Sequence, residues 1–148
     1  MKVAILAGGR GTRLTEETTT KPKAIVEIGG RQVLWHIMTY YYHFGFKEFI
    51  IALGYKGNCI KRWMQNYCTS NRNITGKTGL GKVALHRSSR QNWPNWTVHL
   101  IDTGLSTQNG GRIKRLAPWL SDQTFMLTWC DGVSNVDLDA LLKFHRSH

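Results

Sequence analysis

The chain has 148 residues, 41% of them apolar and 11% aromatic, which suffices for one domain with its own core and argues against a disordered tail. Its 20 Lys and Arg against 9 Asp and Glu give a net charge of +11, a balance that attracts anionic partners. No apolar run approaches a bilayer crossing, and three cysteines without a CxxC pair argue against a disulfide framework or a zinc site.

The opening "MKVAILAGG" carries an apolar stretch of about six residues, shorter than the ~7–15 of a secretory core, and it runs directly into glycines. It reads as the first strand, "VAILA" (3–7), of a soluble cytoplasmic protein with no membrane partner. "AIVEI" (24–28) reads as a second extended piece closed by Gly29 and Gly30. In "QVLWHIMTYYYHFG" (32–45), Leu34, Ile37, Met38 and Tyr41 recur at helical spacing, with Gly45 at the C-terminal cap. "EFIIALG" (48–54) is another buried strand. "NCIKRWMQNYC" (58–68) follows as a helix, with Asn58 as its cap and Ile60, Trp63, Met64 and Tyr67 on one face.

The polar, glycine-rich stretch 69–82 reads as a loop, and "VALH" (83–86) and "WTVHLIDTG" (96–104) as an antiparallel pair. "GGRIKRLAPWL" (110–120) predicts a helix, "TFMLTWCDG" (124–132) a strand and "DLDALLKFHRS" (137–147) a last helix. Strand-then-helix repetition predicts an α/β domain with a mainly parallel sheet flanked by helices.

Two familiar phosphate loops fail on inspection. "GGRGTRL" lacks the third glycine of a dinucleotide fingerprint. "GKTGLGKV" (76–83) has Val83 where a P-loop needs a hydroxyl for magnesium, and no buried strand precedes it. What remains is a strand, then "GGRGTRL", then "KPKAIVEIGG". Glycines at 8, 9 and 11 admit phosphate oxygens close to backbone N–H groups. Arg13 offers a planar fork of donors, Lys23 a mobile point charge, and Pro22 fixes the backbone beside it.

On "LAGGRGTRL" followed by "KPKAIVEIGG", the chain resembles the sugar-phosphate nucleotidyltransferases, or sugar-nucleotide pyrophosphorylases. "VLWHIM", "LGYKGNCIKRW", "TVHLIDTG", "NGGRIKRL" and "DGVSNVDLDALLKFH" are similar, in that order, to the members that use CTP and glucose 1-phosphate. The likeness runs along essentially all 148 residues and is weakest between about 69 and 95. It implies a Rossmann-like nucleotide-diphospho-sugar transferase fold, with residues 1–148 as its N-terminal, nucleotide-binding portion.

The resemblance also implies roles. The glycine loop that wraps the nucleotide matches Leu6, Ala7, Gly8, Gly9, Arg10, Gly11, Thr12 and Arg13. Lys23 matches the phosphate-binding lysine, and Arg13 and Lys23 are the catalytic candidates. "STQNGGR" places Thr107 and Arg112 near the ligand. "WCDG" gives Asp131 as the magnesium ligand, with Cys130 beside the nucleotide where the family has glycine. Asp131 ends an apolar run, where open α/β sheets bind ligands, although a turn residue could stand there equally well. The thiol of Cys130 is not expected to act as a nucleophile, since the reaction needs no covalent intermediate.

The family continues past the point matching His148, so a second metal-binding aspartate, the basic residue gripping the sugar phosphate and much of the sugar pocket are expected outside these residues. The corresponding expectation is nucleotide binding with weak or no turnover. Homo-oligomers are implied for the full-length family. Sister enzymes using dTTP or UTP share the front motif. A rival of another class remains: a polyanion or nucleic-acid binder using the basic residues between 56 and 90, a span without acidic residues. Against specific nucleic-acid recognition, no zinc-finger, basic-zipper or RRM signature is present.

Overall fold

A computed structural model of the chain describes residues 1–9, 21–70, 74–79, 82–87, 95–120 and 123–148, the side chains of 68–70, 74–79 and 82–87 excepted. Strand β1, Lys2–Ala7, is buried from Val3 onward, because its alternate side chains enter two different cores. Val3, Ile5 and Ala7 face one core, Ala4 and Leu6 the other. A strand covered on both faces reads as an uninterrupted apolar run, which is why "VAILA" was legible. The same holds for β4, Glu48–Leu53, beside it.

The extended piece expected at 24–28 is instead a single 3-10 turn, Lys23–Ile25, and a tiny hairpin of β2, Glu27–Ile28, with β3, Arg31–Gln32. Gly29 and Gly30 have φ of +58° and +75°, the left-handed pair that a two-residue hairpin turn requires. Glu27 and Ile28 are exposed, so no buried face recruits them into the main sheet.

Helix α1, Val33–His43, buries Leu34, Ile37, Met38 and Tyr41 as the periodicity predicts, and Gly45 follows its end. Helix α2, Gly57–Ser70, buries Ile60 and Met64. It begins one residue before Asn58, so Asn58 lies inside the helix and is not its cap. The loop expected at 69–82 contains a strand, β5, Ile74–Gly79, paired antiparallel with β6, Lys82–Arg87. Glycine-rich sequence disfavours strands locally, and here pairing along six residue pairs overrides that preference. The expected antiparallel pairing of 83–86 with the next segment is present, between β6 and β7, Thr97–Asp102.

Helix α3 spans Asn109–Leu120, β8 spans Met126–Trp129 and helix α4 spans Leu138–Arg146. The sheet order is β5-β6-β7-β4-β1-β8, with β7, β4, β1 and β8 mutually parallel. Helices α1, α2 and α4 contribute to the core on one face, and Leu116 and Leu120 of α3 to the core on the other. From β1 the chain passes to β4 on one side, then through β7 and α3 across to β8 on the other side. That reversal places a crevice at the carboxyl ends of β1 and β8. β8 forms an edge of the sheet, and Leu127 and Trp129 on it are exposed. No helix among the described residues is long and apolar enough to cross a membrane.

Candidate active site

A cavity of about 210 Å³ opens at this crevice, lined by Leu6, Ala7, Gly8 and Gly9 at the end of β1, by Pro22, Lys23 and Ala24, by Asn109, and by Trp129, Cys130 and Asp131 at the end of β8. The strand register explains the meeting, since β1 and β8 run parallel with Leu6 opposite Trp129. Lys23 is set by the 3-10 turn. Pro22 precedes it, the Ile25 N–H donates to the Pro22 carbonyl at 3.0 Å, and the neighbouring Ala24 is fully buried. With the backbone anchored, the Lys23 side chain reaches across the cavity and donates from Nζ to Asp131 Oδ2 at 3.2 Å.

A second cavity of about 230 Å³ adjoins the first, lined by Gly8, Gly9, Leu105, Ser106, Thr107, Gln108, Asn109 and Arg112. Its floor comes from the turn after β7. There the Asp102 carboxylate accepts from the Gly104 N–H at 2.9 Å, and Gly104 takes a φ of +84°. The Thr103 hydroxyl is fully buried and donates to the Leu53 carbonyl at 2.6 Å. Thr107 Oγ1 accepts from Arg115 Nη1 at 2.6 Å.

Leu6, Ala7, Gly8, Gly9, Lys23, Cys130 and Asp131 thus converge on one cavity, and Thr107 and Arg112 on its neighbour. Arg10, Gly11, Thr12 and Arg13 lie outside the described residues. Arg112, expected beside the ligand, has its guanidinium in the cavity wall and is only 3% exposed. It donates to the carbonyl oxygens of Gly8, Leu53 and Gly104 and to Thr103 Oγ1, at 2.7 to 3.1 Å. Burial, with the like charge of Arg115, pushes its pKa below the usual arginine range, and Asp102 acts in the opposite direction. Burial, and next the nearby Asp131, push the Cys130 thiol up to about 12, which leaves it neutral and unreactive. Its side chain packs against the larger core, and the residue also lines the cavity.

Reasoning from sequence missed Trp129, Asn109 and Thr103. Trp129 ends a strand whose burial alternates although its apolar sequence does not show it, and Thr103 carries no local signal that it bonds Leu53, fifty positions earlier. The side chains of the basic span from 68 onward lie outside those described, so its polyanion reading gains no geometry here.

The donor set can be tested against magnesium. Among the described residues no group of three or more His, Cys, Asp and Glu converges, so no cage of protein ligands is formed there. Asp131 supplies one hard carboxylate at the cavity wall, and Mg²⁺ suits such a site when phosphates and waters complete its octahedron. The residues fit that arrangement.

Residues 3–73 match the family described as MobA-like NTP transferase domain. The chain is 45% identical to glucose-1-phosphate cytidylyltransferase of Salmonella typhimurium, an alignment covering 100% of this chain and 57% of that protein. The chain is thus similar along its whole length to sugar-phosphate nucleotidyltransferases. A probable glucose-1-phosphate cytidylyltransferase of Bacillus subtilis is 37% identical over 99% of this chain and 56% of its own length. Among solved structures, a UDP-glucose pyrophosphorylase complexed with UDP-glucose superposes with a TM-score of 0.68 at 14% identity, covering 98% of this chain and 54% of that one. The shared fold is that of nucleotide-diphospho-sugar transferases, and the chain spans a little over half the length of these relatives.

Proposed function

We propose that the chain is the nucleotide-binding part of an enzyme that transfers a cytidylyl group from CTP to glucose 1-phosphate, giving CDP-glucose and pyrophosphate. The observation that carries this reading is the convergence of Gly8, Gly9, Lys23 and Asp131 on one cavity at the carboxyl ends of β1 and β8. The 45% identity along the whole of this chain to the Salmonella cytidylyltransferase supports the choice of nucleotide and sugar.

The reaction is attack of the sugar-phosphate oxygen on the α-phosphorus of CTP, with pyrophosphate leaving in line. Both reactants are anions, so catalysis is mostly positioning and charge neutralisation. The backbone at Gly8 and Gly9 receives phosphate oxygens without a side chain in the way. Lys23 releases Asp131 and neutralises the triphosphate, and Arg13 adds a planar fork to it. The second cavity, with Thr107, receives the nucleoside. Asp131 would hold Mg²⁺, which draws negative charge off the phosphates when bound. In the first cavity Lys23 and Asp131 neutralise one another until the triphosphate separates them.

Calorimetric titration with CTP, UTP and dTTP under the same magnesium concentration tests the proposal. Preferential binding of CTP supports it; preference for dTTP or UTP assigns the chain to a sister activity. Salt-sensitive binding of any duplex, without nucleotide binding, would instead support the polyanion reading.

A further inference from the structure

We infer that Arg112 is a positioning residue, which holds the Gly8 carbonyl inward and so aims the Gly9 N–H at a phosphate oxygen in the cleft. The inference deepens the nucleotide-binding reading and rests on it for the identity of the anion. Three observations carry it.

The guanidinium is enclosed by oxygens of the protein. Nη2 donates to the Gly8 carbonyl at 2.9 Å, and Nη1 donates to the Leu53 carbonyl at 3.1 Å, to Thr103 Oγ1 at 2.7 Å and to the Gly104 carbonyl at 2.9 Å. Among the described residues no carboxylate lies within ion-pair distance of it. An arginine so placed joins the carboxyl ends of β1, β4 and β7, and brings a positive charge beneath the glycine loop.

Two glycines are shaped to this guanidinium. A Cβ at Gly8 would stand 2.2 Å from Arg112 Nη1, and one at Gly54 would stand 2.5 Å from the same atom. Around Gly9, by contrast, nothing lies within 4 Å of where a Cβ would be. Gly8 is therefore required by the arginine behind the loop, while Gly9 is the residue open to the cleft.

Peptide geometry links the two. In a trans peptide the carbonyl of one residue and the N–H of the next point in opposite directions. The Gly8 carbonyl is fixed inward by Arg112 and by the Tyr55 N–H at 3.2 Å. The Gly9 N–H must then point away from Arg112, and Gly9 lines both cavities.

A double-mutant cycle on thermal unfolding tests the steric half without any ligand. Gly8→Ala alone is expected to lower the melting temperature by roughly 3–10 °C. Added to Arg112→Ala, where the space is vacated, it is expected to lower it by less than about 1 °C. Equal losses in both backgrounds would overturn the coupling. Arg112→Lys keeps the charge but loses the fork, and supplies the second arm should Arg112→Ala not fold. In it, amide exchange at Tyr55 and Thr103, whose N–H groups share the Gly8 and Leu53 carbonyls with Arg112, is expected to quicken roughly ten-fold. The downfield shift of the Gly9 amide proton on adding CTP or pyrophosphate, expected in the native chain, is expected to be lost in Arg112→Lys. An undiminished Gly9 response in that variant overturns the aiming role. No response in the native chain to either anion counts against the nucleotide reading, while the unfolding cycle still decides whether Gly8 and Arg112 are coupled.

Discussion

Lys23 Nζ and Asp131 Oδ2 lie 3.2 Å apart across a cavity whose walls come from opposite ends of the chain. Each occupies the position that the other's proposed ligand would take: the ammonium stands in for a metal ion, the carboxylate for a phosphate. The two side chains are 20% and 43% exposed, so the pair is worth no more than about 1 kcal/mol and yields readily to its ligands.

Removing the ammonium frees the carboxylate. In Lys23→Met without nucleotide, the Mn²⁺ dissociation constant should fall by roughly 2–5-fold, the equivalent of losing one weak ion pair. Electron paramagnetic resonance of free Mn²⁺ measures it. Unchanged or weaker metal binding in Lys23→Met would mean that Asp131 is not the metal ligand.

Nucleotide binding should move the other way. A charge-assisted hydrogen bond to phosphate is worth about 1.5–3 kcal/mol, so Lys23→Met should weaken CTP binding by roughly 10–100-fold. Asp131→Asn should instead tighten magnesium-free CTP binding by roughly 2–5-fold, since it frees the Lys23 ammonium, while abolishing the gain on adding magnesium. Isothermal titration of both variants with and without magnesium separates these outcomes, and an equal loss in both variants under both conditions would remove the division of roles.

The thiol beside Asp131 should be inert. A thiol whose pKa is raised to about 12 stays protonated below that pH, so its thiolate is about one part in ten thousand at pH 8. Iodoacetamide at pH 8 should spare Cys130 in the folded chain and modify it after unfolding, as mass spectrometry of the peptides reports. Cys130→Ser should bind CTP as the native chain does, with no pH dependence of binding removed by the change.

The last helix rests on one capping side chain. Asp137 accepts from the Asp139 and Ala140 N–H groups at 2.9 and 3.0 Å, directly before the buried Leu138. Asp137→Ala should cost about 1 kcal/mol and lower the melting temperature by roughly 2–5 °C, whereas Asp137→Asn should recover most of it. Circular dichroism melts of the two variants check this; equal losses would mean the charge matters and the cap does not.

How legible each part was depended on whether its cause was local. β1 and β4 showed in the sequence because both faces are buried, and α1 because its spacing keeps Leu34, Ile37, Met38 and Tyr41 on one side. Strand β5 did not, since Gly76 and Gly79 erase alternation and only its pairing with β6 makes it extended. Lys23 and Asp131 were recognisable by motif, but their contact over 108 positions was not. Arg112 illustrates the harder case: its charge was visible while its direction was not, because inward orientation depends on the absence of side chains at Gly8 and Gly54.

The position of β1 between β4 and β8 has a consequence for the order in which the molecule becomes competent. The glycine segment is synthesised more than a hundred residues before one wall of its cleft, Trp129 to Asp131. Contacts of such sequence separation form late, after the loop-closure entropy of the intervening chain has been overcome. A nascent or partly folded chain therefore presents the glycines without the cleft, and nucleotide cannot template the early steps of folding. It can only select the finished sheet, so CTP should slow unfolding while leaving the rate of refolding unchanged.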